Sequence, residues 1–166
     1  LRGGKGDLLR FVQVTKVEAA VERSYFHSEE IISYSKGDKL RDFVAVLLDI
    51  ALDDKSIQRV LDFPLEFPPI TKVGLTKLSR LEELCKGLTP DQYRDAFHLW
   101  TCEMNNLDYF LTLDKKFINV MTNTKRIELL TYPISPTELL SKLNAQTLEP
   151  MPFRENEFIY FHEEWD

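Results

Sequence analysis

The chain has 166 residues, 43% of them apolar and 29% charged, with a net charge of −6, which suits one globular domain with a core of its own. It contains no run of about 18 apolar residues and shows no signal-peptide pattern at its glycine-rich start, so no membrane association is expected. The negative balance argues against a general nucleic-acid binder, which carries a basic face, but is compatible with an enzyme whose acidic cluster holds a divalent metal.

The two cysteines, Cys85 and Cys102, have neither CxxC nor zinc spacing and read as reduced, buried helix residues of a cytoplasmic protein. The first residue is Leu1, so a fragment, a processed chain or the ordered part of a longer one is expected. The whole of 1–166 reads as a single domain.

In chain order, the apolar run from Leu8 to Val14 predicts a short strand or helix end, leading into a helix over about Thr15 to Phe26. Ser33 to Asp38 reads as a turn. Leu40, Phe43, Val44, Leu47, Leu48 and Ala51 form one helical face over Lys39 to Leu52. Asp54 is placed to cap a short helix over Lys55 to Leu61. Prolines break the connector from Phe63 to Pro69. Thr71 to Lys86 reads as one helix with Leu75, Leu78, Leu81 and Leu84 roughly in line, ended by Gly87.

Thr89, Pro90 and Gln92 mark the next helix start as a capping box; that helix runs to about Asn105, where Asn105-Asn106 offers a left-handed ending. Asp108 to Asp114 predicts a buried parallel strand, Lys115 to Met121 a short helix, Arg126 to Tyr132 a second strand stopped by Pro133, and Ser135 the cap of a helix through Leu143. Residues 146–166 read as a C-terminal tail or edge strand. The alternation in the second half predicts an α/β fold with a parallel sheet, after a first half that is mostly helical.

Two aspartates are brought together by this order. From Asp95 the chain descends a helix for about 15 Å and returns along a strand for about 20 Å. Asp114 thus ends near the level of Asp95, at the carboxyl end of its strand, where sites of open parallel sheets form. Neighbouring carboxylates repel unless a cation sits between them, and magnesium suits that position. Spacing alone favours the plainer reading of a helix-face aspartate and a capping aspartate.

The residues around them carry a resemblance. Asp95-Ala-Phe-His-Leu-Trp-Thr-Cys-Glu103 is similar to the D-A-x-H-x-x-T-A helix of PIN domains. Asn106-Leu-Asp-Tyr-Phe-Leu-Thr-Leu-Asp-Lys-Lys-Phe117 resembles the D-x-F-L-T-x-D-x-x-F strand and turn that follows it in that family. Ile134-Ser-Pro-Thr-Glu-Leu-Leu140 resembles the family's closing S-P-x-E-L-L helix. The three occur in order over 91–143. The resemblance implies a PIN-like three-layer sandwich, a central and mostly parallel sheet flanked by helices. It also implies a Mg²⁺- or Mn²⁺-dependent endoribonuclease.

On that analogy Asp95, Asp114 and Glu18 are metal-binding carboxylates, with Glu22 the fallback for Glu18. Thr112 places its hydroxyl near the scissile phosphate. His98 reads as a packed helix residue and Glu103 as a solvated helix charge. The family's opening strand and its aspartate have no counterpart before Glu18, so the domain reads as N-terminally incomplete or degenerate. The implied partners are an RNA substrate and, for a toxin-like ribonuclease, a protein antitoxin or other protein partner; a homodimer is in keeping with the family. The alternatives are a catalytically inactive PIN-like binding or interaction module, and an unrelated helical interaction protein built on residues 39–86.

Overall fold

The computed structural model describes residues 15–26, 39–62, 66–123 and 127–143; the expected strand over 8–14, the turn over 33–38 and the tail over 146–166 lie outside them. The described residues form a mixed α/β, mostly helical structure with a two-stranded parallel sheet. None of their helices is long and apolar enough to cross a membrane.

Helix α1 (Lys39–Ala51) buries Phe43, Val44 and Leu47, as its 3.6-residue spacing requires. Helix α2 (Asp54–Leu61) is capped one residue earlier than expected. Asp53, not Asp54, takes the extended N-cap backbone and accepts bonds from the Lys55 N–H at 3.0 Å and the Ser56 hydroxyl at 2.9 Å.

The single helix expected over 71–86 is two: α3 (Pro69–Thr76) and α4 (Leu78–Cys85). At Lys77 the backbone leaves helical geometry (φ −116°, ψ 23°), and its N–H reaches back only three residues, to the Gly74 carbonyl at 2.8 Å. The break costs no burial, because Leu75, Leu78, Leu81 and Leu84 all lie in the core. Gly87 then takes the positive φ of 74° expected of it.

Helix α5 (Tyr93–Met104) follows a 3-10 turn at Pro90–Gln92, where Gln92 Oε1 accepts the Thr89 N–H at 3.2 Å. It packs against α1 and α4 and carries Ala96, Phe97, Leu99 and Trp100 into the centre of the core. Its end is a Schellman turn. Asn106 has φ 54°, its N–H bonds the Glu103 carbonyl at 3.1 Å, and the Leu107 N–H bonds the Cys102 carbonyl at 3.0 Å.

The chain then runs through β1 (Tyr109–Leu111), α6 (Lys115–Asn123), β2 (Tyr132–Ile134) and α7 (Pro136–Lys142). The strands pair in parallel with Phe110 opposite Pro133, and α6 is the crossover that parallel pairing demands. The first strand is shorter and less buried than expected: Phe110 turns to Phe117 in the core, but Tyr109 and Leu111 are exposed.

The second strand begins where the sequence pattern placed its end. Over 127–131 side chains take the backbone bonds that a ladder would need. Arg80 donates to the Glu128 carbonyl, Glu103 accepts the Leu130 N–H, and the Thr131 hydroxyl donates to the Leu107 carbonyl at 2.6 Å. Pro133 is tolerated inside β2 because β1 bonds to its neighbours, through the Tyr132 N–H and the Ile134 carbonyl. Ser135 and Glu138 cap α7 reciprocally, as expected.

The helix expected over 15–26 is replaced by an irregular segment and a short 3-10 turn at Arg23–Phe26. Two threonine hydroxyls outcompete helical bonding there. The Ala20 N–H donates to Thr101 Oγ1 on α5 at 3.3 Å, and the Glu22 N–H to Thr71 Oγ1 on α3 at 3.1 Å. Gly74 makes this passage available, since a Cβ on it would collide with the Ala20 carbonyl oxygen. Ala20 and Val21 are fully buried between the two helices.

Candidate functional site

Asp95 stands in the first turn of α5, and Asp114 lies three residues past the carboxyl end of β1. The two are electrostatically coupled. Burial pushes the Asp95 carboxyl above the usual carboxylate range, and the negative charge of Asp114 pushes it further; Arg94 and His98 act in the opposite sense. The helix-out, strand-back order drawn from the sequence is the order of α5 and β1.

Asp114 also builds its own surroundings. Its Oδ1 accepts the Phe117 N–H at 2.9 Å, so it is the N-cap of α6. Its own N–H donates to Thr112 Oγ1 at 3.2 Å. The Thr112 N–H meanwhile extends the parallel ladder to the Ile134 carbonyl at 3.1 Å. Thr112 is thus fixed at the strand end beside Asp114, with its hydroxyl proton left to donate outward. His98, one turn along α5 from Asp95, is exposed and stacks on Phe110 at 6.4 Å between ring centroids.

Glu18 is not brought to the pair. Its carbonyl accepts a bond from Asn105 Nδ2 at 2.9 Å, which ties it past the far end of α5, about 15 Å along the helix from Asp95. The placement follows from the non-helical course of residues 15–19, where a helix was expected. Glu22, the fallback, spends its carboxylate on the Ser24 N–H and hydroxyl at 3.1 and 3.0 Å. No group of three or more His, Cys, Asp or Glu able to hold a metal occurs among the described residues.

Asp95 and Asp114 offer oxygen donors of the kind Mg²⁺ or Mn²⁺ takes, and their mutual repulsion is what a cation between them would relieve. They supply two of the ligands such an ion needs; water commonly supplies several others for Mg²⁺.

Glu103 is a second departure from the sequence reading. It is buried, its side chain only 3% exposed, and forms a two-point pair with Arg80 of α4: Arg80 Nε to Glu103 Oε2 and Nη2 to Oε1, each 2.8 Å. The signal was present in the spacing, since Ala96, Leu99, Trp100 and Glu103 fall at i, i+3, i+4 and i+7 of one apolar face. Arg80 binds Glu83 and the Glu128 carbonyl as well. This network joins α4, α5 and the approach to β2, and its role is structural.

Comparison with protein-family models, with curated proteins and with solved structures finds no match to this chain.

Proposed function

We propose that this chain is a divalent-metal-dependent endoribonuclease of the PIN type. The observation that carries the reading is the placement of Asp95 in the first turn of α5 and of Asp114 as the cap of α6, in the chain that leaves the parallel strand β1. The order helix, strand, crossover helix, parallel strand and capped helix over 93–142 supports it, as do the three sequence resemblances that fall on those elements. The finer architecture belongs to the same proposal: a three-layer sandwich in which β1 and β2 are part of a larger, mostly parallel sheet.

In this reading Asp95 and Asp114 hold Mg²⁺ or Mn²⁺. When bound, the ion supplies Lewis-acid polarisation of a phosphodiester and acidifies a water molecule. Asp114 is kept rigid for this by its capping bond to Phe117. Thr112 directs its hydroxyl toward the phosphate, held by the Asp114 N–H and the ladder bond to Ile134. The RNA and any antitoxin-like or homodimeric partner are part of the proposal.

The experiment is cleavage of a labelled single-stranded RNA by the purified chain with Mn²⁺, with and without EDTA, beside Asp114→Asn. Asparagine preserves the N-cap, so loss of activity in that variant reports on charge rather than folding. Chelator-sensitive cleavage abolished by Asp114→Asn is the expected result; cleavage indifferent to either change refutes the reading.

A second reading is favoured by the position of Glu18, which leaves two carboxylates where the resemblance implies three or four. It is a PIN-like interaction module without nuclease activity. Calorimetry with Mn²⁺ separates the two, because tight binding abolished by Asp95→Ala excludes an empty, degenerate site.

A further inference from the structure

We draw no further inference here: the strongest candidate, the exposed apolar surface patch of Tyr109 and Leu111 on β1 with Leu107 and Leu113 flanking the strand, carries nothing because nothing in the structure shows what covers it.

Discussion

Replacement of Glu103 by alanine removes the acceptor for two Arg80 donors and for the Leu130 N–H at 3.2 Å. Breaking a buried pair from one side costs about 3–5 kcal/mol, because the remaining charge is left without compensation. Arg80 is 20% exposed and keeps Glu83 and the Glu128 carbonyl, so the lower end, about 3 kcal/mol, applies to the charge. The orphaned Leu130 N–H adds about 1 kcal/mol. A total of about 4 kcal/mol is a large share of the 5–15 kcal/mol typical of a domain. With a urea m-value of about 2 kcal/mol/M it lowers the unfolding midpoint by about 2 M.

Urea denaturation followed by far-UV circular dichroism measures this, with a constant m-value as the condition for reading it as stability. Arg80→Met/Glu103→Leu removes both charges and is expected to recover most of the loss. Asp91→Asn, at the exposed Arg41–Asp91 pair of 3.5 Å, is expected to leave the midpoint unchanged. A Glu103→Ala loss below about 1 kcal/mol would refute the argument, since that is the magnitude of an exposed pair.

Gly74→Ala places a methyl group against the Ala20 carbonyl oxygen; a loss of about 1–3 kcal/mol is expected, with faster hydrogen exchange at the Ala20 and Glu22 amides, and unchanged exchange would show that the close approach is not needed. Asp95→Asn is expected to raise the urea midpoint at pH 7. The folded-state pKa of Asp95 lies above its unfolded value, so the native state holds the extra proton between the two, and stability falls as pH rises through that window. The advantage of the variant should therefore disappear below the unfolded value of about 3.9, and equal midpoints at pH 7 would contradict the coupling.

Helix positions were legible where a single face or a cap decides them. The apolar face of α1, the left-handed residues Gly87 and Asn106 and the Ser135–Glu138 cap all follow from local rules. The helix–strand–helix–strand order that carries Asp95 and Asp114 was legible for a related reason, since caps and short apolar runs mark its elements. Residues whose bonds come from far along the chain were not legible. Ala20 finds its acceptor at Thr101 and Glu22 at Thr71, so a segment with helical spacing becomes irregular, and Glu18 moves away from the site with it. The same cause shortened β2, whose expected first residues are bonded by Arg80 and Glu103 from other helices. The break at Lys77 had no comparable signal, because the leucine pattern runs through it without interruption.

The position of Pro133 gives the small sheet a direction of growth. Alternate residues of a strand address alternate neighbours, and Tyr132 and Ile134 address β1; the backbone nitrogen of Pro133 therefore points to the far side of β2, where it has no hydrogen to give. That margin is blunted against any incoming strand, whereas the outer margin of β1 carries no proline. A third strand, whether from this chain or another, is admitted beside Tyr109–Leu111 and refused beside Tyr132–Ile134.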